Sequence, residues 1–470
     1  MLKKEEQRMT KESWAMNETK YMTLKDKRRN ERVKMLLEAM IDNPASSIPQ
    51  ACHGENASTK GAYRLIGTTE IDEQDILEGH YQATIQKACE YDGRVVIVSD
   101  SMDISFTSLK KTTGLGTLAN SEKSLGIKTQ NTYIFSENLI PLGLINQKYW
   151  VRNKEDYGKK KERIRLNIKD KESYSWIESL THIEKKLPLE KGYVFLGDGA
   201  ADIYDLFLTK RRENSDLLIH LVQDRNIKND NVRLFKSLAN EPTLGIITQK
   251  LERTKTHPER TVKLEIKVKE VEILPPSHRK NEKLSPIKLT AIYAQEIESD
   301  KVVNDPITWR LITTIIVDSL NNAEKLIILY SKRWLIERYH YILKEGFRIE
   351  KLQMESAGNL KRAIALYSIA AGRLLHITYF ARIQPDAPCS LILSADEANA
   401  LYCMHNKTLL LPTDFVSVKE AVRMIAKLGG FLGRKGDKEP GAKVLWQGLH
   451  RLESITQAYV LFKALNVGNG

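Results

Sequence analysis

At 470 residues the chain is longer than one hydrophobic core usually supports, so two or more modules are expected, and its apolar fraction of 41% is ordinary for a globular protein. Lys and Arg outnumber Asp and Glu by 73 to 60, a formal charge of +13 that favours a polyanionic partner without naming one. Cys52, Cys89, Cys389 and Cys403 form no C-x-x-C pair, the charged opening stretch Met1–Glu6 lacks the apolar core of a signal segment, and no later run approaches the ~18 continuous apolar residues of a membrane span. This excludes a readable zinc ribbon or disulfide framework, and the expectation is a cytoplasmic protein with no membrane partner.

In chain order, the first 75 or so residues are helix-prone and carry the basic cluster Lys25, Lys27, Arg28, Arg29, Arg32 and Lys34 ahead of the apolar run Met35 to Ile41. A small helical, DNA-facing module is one reading, and a solvated helix face is the other. From Arg94 the texture changes. Val95 to Val98 make a fully apolar β run that stops at Ser99-Asp100, as a buried central strand does. Thr132 to Phe135 and Leu142 to Ile145 flank turn residues and predict antiparallel neighbours of that strand. A helix follows with Trp176, Ile177, Leu180 and Ile183 on one face. A second buried run, Tyr193 to Leu196, ends in Gly197-Asp198-Gly199, and after a helix from about Asp202 comes the strand Leu217 to Val222. This alternation predicts a mixed α/β layer. Between about 240 and 305, Val262, Leu264, Ile266 and Val268 alternate with charged residues, Leu289 to Ile297 adds another strand, and prolines punctuate both, which predicts a β-rich insertion. From about Ala323 the chain is helical almost to its end.

Asp100 and Asp198 each sit where an apolar run ends, so each can point its carboxylate into the crevice that α/β sheets leave at strand C-termini. Taken alone, Asp198 or Asp202 is as readily a turn residue or helix cap. Tyr330, Arg333, Glu337 and Lys344 are spaced 3, 4 and 7 residues apart in a helical stretch, so on an ideal helix they fall within roughly 60° of one another, and Arg348 falls on the same stripe. Leu335, Ile336, Ile342 and Leu343 lie on the far side. A stripe with one acid among bases suits phosphodiester chemistry, in which carboxylates hold two metal ions ~3.5–4 Å apart and neighbouring bases bind flanking phosphates. Mg2+, a hard cation, takes oxygen anions as ligands. A solvated helix face remains the plain alternative.

The strand-end Asp100, the second acid in Gly-Asp-Gly-Ala-Ala-Asp-Ile at Asp198, and Tyr330-x2-Arg333-x3-Glu337-x6-Lys344 together resemble the DDE transposases of the insertion-sequence-four group, Tn-five type, with their Y-R-E-K signature. Gly61-Ala62-Tyr63-Arg64, Gln147-x2-Trp150-x-Arg152 and Leu428-Gly429-Gly430-Phe431 are similar to that family as well, so the likeness spans nearly the whole chain. One departure stands out: the family often has an acid two positions after the second Asp, and this chain has Ala200, with Asp202 retained as a second-shell residue or helix cap.

The resemblance implies an α/β fold with an RNase H-like catalytic core interrupted by a β-rich insertion and flanked by helical N-terminal and C-terminal modules. The division expected is an end-binding module over 1–75, core over 76–235, insertion over 236–310, core with the Glu helix over 311–380 and a dimerisation region over 381–470. It implies that Asp100, Asp198 and Glu337 hold two Mg2+ ions, with Mn2+ able to substitute. Tyr330, Arg333, Lys344 and Arg348 would contact DNA, and Trp309 and Trp334 would stack on a base forced out by a hairpin, an exchange worth roughly 1–3 kcal/mol. For each Trp, a core position is the alternative. The activity implied is cut-and-paste transposition: binding transposon ends, cleaving them through a hairpin, and joining them to target DNA as a homodimer in a synaptic complex. A transposase-derived DNA-binding protein that does not cut, and a simple metal nuclease, are the competing readings.

Overall fold

Helices at both ends of the chain enclose, in sequence, a large mixed set of strands. The computed structural model describes residues 11–42, 44, 46–118, 121–153, 155, 166–251, 258–300, 306–412 and 416–467. The charged stretch Met1–Glu6 lies outside the described residues.

Helices α1 (Lys11–Thr19), α2 (Lys27–Asp42), α3 (Ile48–Ala51), α4 (Asn56–Gly67) and α5 (Glu73–Glu90) lead to strands β1 (Val95–Ser105), β2 (Gly116–Leu118), β3 (Ser121–Phe135) and β4 (Pro141–Trp150). There follow α6 (Tyr174–Lys186), β5 (Tyr193–Gly197), α7 (Tyr204–Leu208), β6 (Ser215–His220), α8 (Leu234–Ala239), β7 (Gly245–Leu251), β8 (Arg260–Ile273), β9 (Ile287–Ser299) and β10 (Thr308–Thr313). Helices α9 (Leu320–Ser331), α10 (Leu335–Tyr341), α11 (Ala357–Ile383), α12 (Ala395–Asn406), α13 (Val418–Leu428) and α14 (Ala442–Val467) complete the order.

The chain divides into two compact units. The central unit comprises Gly93–Asp100 and Lys159–Ile336. In it the first half of β1 pairs in parallel with β5, and β5 in parallel with β6. Val95 to Val98 and all of β5 are buried, which is why these strands read as unbroken apolar runs rather than alternating ones. Trp176 of α6 packs edge-on against Phe195, with ring centres 6.4 Å apart, and Ile177, Leu180 and Ile183 are buried beside it as the periodicity predicts. The β-rich stretch continues this sheet: β10 runs antiparallel to β6, and β9, β8 and β7 follow antiparallel in turn. The strand expected over Leu217 to Val222 is shorter at its end, because Leu221 and Val222 have already turned out of β6.

The terminal unit comprises Met1–Asp92, Ser101–Gly158 and Glu337–Gly470. Here β3 pairs antiparallel with β2 and β4, in a register that sets Thr132 against Asn146 and Tyr133 against Leu144. Helix α11 is buried along almost its whole length and packs on α2, α4, α5 and β4. Its length and hydropathy would suit a bilayer, but 94% of the relevant window is covered by protein. The N-terminal helices are tied to the rest of this unit by buried charge. Glu18 of α1 bonds to His80 and Lys87 of α5, and His80 Nε2 accepts from the Leu144 N–H of β4 at 3.0 Å. Burial by itself raises the Glu18 pKa, but Lys87 and His80 outweigh it and hold the carboxyl well below its ordinary value.

Helix α11 also carries the half-buried His376, whose ring stacks on Phe380 with centres 5.3 Å apart and whose Nδ1 donates to the Pro141 carbonyl at 2.8 Å. Burial pushes its pKa from 6.5 down to about 4, with the Pro141 carbonyl acting the other way. A histidine whose folded pKa is depressed contributes stability above pH 6.5 that is lost as pH falls towards 4, on the order of 3 kcal/mol in all. His376→Asn, which keeps a donor near Pro141 but does not titrate, is expected to remove that part of the decline in urea midpoint between pH 6.5 and 4; parallel profiles for the two proteins would rule His376 out.

Candidate active site

In the central unit, Asp100 and Asp198 are brought side by side by strand register. Val98 of β1 pairs with Leu196 of β5, and Leu196 with Leu218 of β6. Two residues further along the chain from each stand Asp100, still within β1, Asp198, just past the end of β5, and His220, the last residue of β6. Asp100 is not at the end of its strand, as the apolar run suggests. Strand β1 continues to Ser105, and what ends at Val98 is its pairing with β5. The reading stopped early because the pattern changes there from continuous burial to alternation, with Met102 and Ile104 buried.

Asp198 follows the last residue of β5 and caps a 3-10 turn, Gly199–Ala201, with its Oδ1 accepting from the Ala200 N–H at 2.8 Å. Both flanking glycines are required by crowding. A Cβ on Gly197 would come 2.5 Å from that of Ala201, and one on Gly199 would run into Val222. Ala200, where the family often has an acid, therefore contributes its backbone rather than its side chain. Asp202 is buried, its Oδ2 accepting from the N–H groups of Val222 at 2.9 Å and Gln223 at 2.6 Å while its other oxygen pairs with Arg225. It secures the loop that leaves β6.

Around the acids stand bases and aromatic rings of the same unit. Arg333 Nη1 lies 3.5 Å from Asp100 Oδ2. Tyr330 is buried, its ring 6.1 Å from those of both His220 and Trp309, the latter edge-to-face. Burial pushes the Tyr330 hydroxyl up to about 12, against the pull of Arg333. His220 is held below its ordinary pKa by burial first and by Arg333 and Arg310 beside it, with Asp198 and Asp202 opposing. It is therefore a neutral imidazole at physiological pH. Sequence reasoning missed His220, although the signal was present: a lone titratable side chain inside the apolar run Leu217 to Val222. Trp309 is half-buried at the start of β10, and Trp334 is half-buried in a 3-10 turn, Lys332–Trp334.

The stretch from Tyr330 to Lys344 is not one straight helix. Helix α9 ends at Ser331, the 3-10 turn intervenes, α10 spans Leu335–Tyr341, and a π-helical turn covers Ile342–Gly346. The constant ~100° per residue behind the predicted stripe fails at both breaks. Gly346 meets the Trp446 ring where a side chain would stand, which leaves no room for an ordinary residue without displacement. Arg348 has left-handed backbone, φ 52°, and lies outside any α-helix, so its position on the stripe does not hold. In the terminal unit, Glu337 is exposed in the first turn of α10. Lys344 pairs with Glu350 at 3.3 Å, and Glu350 in turn accepts from the Ser105 N–H at 2.8 Å. Arg348 is exposed. Among the described residues no three His, Cys, Asp or Glu side chains converge closely enough to hold a metal ion.

The basic cluster on α2 divides in two. Lys27 and Arg28 are exposed. Arg29 pairs with Glu70, Lys25 Nζ donates to the Glu70 carbonyl at 3.1 Å, and Arg32 lies against Gly61, the first residue of Gly61-Ala62-Tyr63-Arg64. Tyr63 and Arg64 of that run are exposed on α4.

Three family models match the chain: Transposase DNA-binding over residues 11–71, Transposase DDE domain over residues 169–371, and Transposase Tn5 dimerisation domain over residues 369–461. The DDE match includes Asp198, Tyr330, Arg333, Glu337 and Lys344 and begins after Asp100. Among solved structures, the piggyBac transposase synaptic complex with hairpin DNA aligns with a TM-score of 0.35 and 9% identity, covering 97% of this chain and 72% of that one.

Because Asp202 is buried and paired, Asp202→Ala leaves Arg225 without its partner and two N–H groups without an acceptor. The expected cost is roughly 3–5 kcal/mol. A thermal melt should show a large drop, with every activity falling in parallel; a normal melt with a selective loss of catalysis would instead assign Asp202 to the chemistry.

Proposed function

We propose that this chain, which matches the Transposase DNA-binding, Transposase DDE and Transposase Tn5 dimerisation domain models, is an active cut-and-paste enzyme of the Tn5-like DDE type using Asp100, Asp198 and Glu337. In this reading the three carboxylates hold two divalent ions, Mg2+ or in its place Mn2+, on a DNA phosphodiester. The observation that supports it is that Asp100 and Asp198 each follow, by two residues, the last paired rung of two neighbouring parallel strands, Val98 with Leu196. Two adjacent carboxylates repel unless a cation lies near them, and an all-oxygen donor set suits a hard divalent ion. Divalent ions held by these carboxylates would supply Lewis-acid chemistry to the attacking and leaving oxygens.

The chain's own residues supply the rest. Arg333 brings positive charge to Asp100 and to an incoming phosphate. The Tyr330 hydroxyl, which burial keeps protonated, is able to donate a hydrogen bond to a phosphate oxygen but cannot serve as a base. We take Tyr330, Arg333, Glu337 and Lys344 as the Y-R-E-K signature of the insertion-sequence-four group, with Lys344 and Arg348 on flanking phosphates. Lys27 and Arg28, exposed on α2, with Lys25, Arg29 and Arg32 behind them, would bind the transposon ends, and residues 381–470 would pair two subunits in the synaptic complex. The protein would work in the cytoplasm, on the nucleoid when bound to DNA.

Asp100→Ala, Asp198→Ala and Glu337→Ala are each expected to abolish Mg2+-dependent cleavage of end DNA while a mobility-shift assay shows end binding retained or tighter, since each removes repulsion from phosphate. Near-normal cutting by any one variant removes that residue from the site, and end binding without cutting by the wild type favours a non-cleaving DNA-binding protein.

Trp309, half-buried against Tyr330, is available to replace stacking lost by a base forced out of a hairpin. Trp309→Ala should permit first-strand nicking yet slow hairpin formation. An equal loss of both steps with a large fall in melting temperature would make Trp309 a packing residue.

A further inference from the structure

Gln147, which opens the run Gln147-x2-Trp150-x-Arg152, lies in a buried polar row of the terminal unit. Gln130, Asn131 and Thr132 on β3 are fully buried, as is Thr129, and Asn131 stands directly across from the equally buried Gln147 on β4. A buried amide group left unpaired costs ~1–3 kcal/mol, and an apolar pair of strands would run no such risk. Every amide end here is used. The Tyr149 hydroxyl donates to Gln147 Oε1 at 2.5 Å, and Gln147 Nε2 donates to Asn131 Oδ1 at 2.7 Å and to Ser368 Oγ at 2.9 Å. Asn131 Nδ2 in turn donates to Thr129 Oγ1 at 3.2 Å and to His340 Nε2 at 2.9 Å. With Gln147 Oε1 accepting from Tyr149, its amide nitrogen faces Asn131, and His340 Nε2 closes the chain in the tautomer that matches the Asn131 amide.

His340 belongs to α10, three residues after Glu337, so the two side chains share a helix face. Helix α10 has only seven residues and lies between a 3-10 turn and a π turn, so its own hydrogen bonds do little to fix its rotation. Two side chains hold it from different sides. His340 bonds to β3, and the buried Tyr339 donates to the Ser368 carbonyl of α11 at 3.0 Å.

We propose that Asn131 and His340 are positioning residues for the metal-binding carboxylate: the chain Tyr149, Gln147, Asn131, His340 sets the rotation of α10 and thereby the direction in which Glu337 points. The proposal rests on Glu337 being a metal ligand. His340→Leu removes the hydrogen-bonding group, and His340→Gln returns one, since a glutamine side-chain amide can donate or accept where Nε2 stood. For wild type and variants, Mn2+ binding to the complex with end DNA is read from the electron-paramagnetic signal of unbound Mn2+, alongside melting temperature and metal-free end binding. His340→Leu should weaken Mn2+ binding by about 10- to 100-fold, the size usual for groups that orient a metal ligand, with melting temperature and end binding near those of the wild type. His340→Gln should restore it. Asn131→Leu should match His340→Leu, and the double variant should be no worse than either, because both break one chain. Unchanged Mn2+ binding in His340→Leu overturns the proposal. So does failure of His340→Gln to rescue, or loss that only follows a fall in melting temperature. A wild type that neither binds Mn2+ nor cuts DNA overturns the active-enzyme reading itself, and this proposal with it.

Discussion

Two carboxylates on neighbouring parallel strands impose the electrostatic condition that the rest of the central unit meets. Like charges gathered at one edge of a sheet repel. The fold offsets this with fixed groups: Arg333 beside Asp100, and the Ala200 N–H on Asp198. His220, third in the row, adds no charge, because burial and the nearby guanidinium of Arg333 keep it neutral. The crowding at Gly197 and Gly199 belongs to the same arrangement, since a turn tight enough to aim an N–H at Asp198 leaves no space for side chains on either flank.

The parts of this arrangement that depend on burial were visible in the sequence. Val95 to Val98 and Tyr193 to Leu196 had to be central strands, and an acid just beyond each had to emerge near the other if the strands were parallel neighbours. The parts that depend on pairing were not visible. Nothing in a string of residues says that β1 exchanges one neighbour for another at Val98 and runs on to Ser105, or that β10 closes against β6 so that the β-rich stretch extends the sheet. His220 escaped for the same reason: its significance comes from the strand next to it, not from its own neighbours in sequence.

Helical periodicity failed in a more specific way. It assumes one uniform helix from Tyr330 to Lys344, and the backbone instead tightens to 3-10 before α10 and widens to π after it. Over the four residues from Arg333 to Glu337 the error is small. Past Tyr341 it accumulates, and by Arg348 the backbone has turned left-handed. The basic cluster shows a parallel limit. Composition weighs six charges equally, whereas packing spends Arg29 on Glu70 and Arg32 on Gly61 and leaves Lys27 and Arg28 to the solvent.

Why the terminal unit should bury a row of amides under α10 follows from the difference between the two kinds of packing. Dispersion holds a short helix against a sheet but is nearly indifferent to a small rotation about the helix axis, because one apolar contact replaces another. Hydrogen bonds are not indifferent, since a donor that loses its alignment leaves a buried polar group unpaired. A seven-residue helix between two irregular turns is not continued as a regular helix on either side, so its rotation is set by what it packs against. Bonds from His340 to Asn131 and from Tyr339 to Ser368 supply that restraint on different sides of the axis. Glu337 stands on the exposed side of the same helix, so a change in the helix's rotation changes where that carboxylate points.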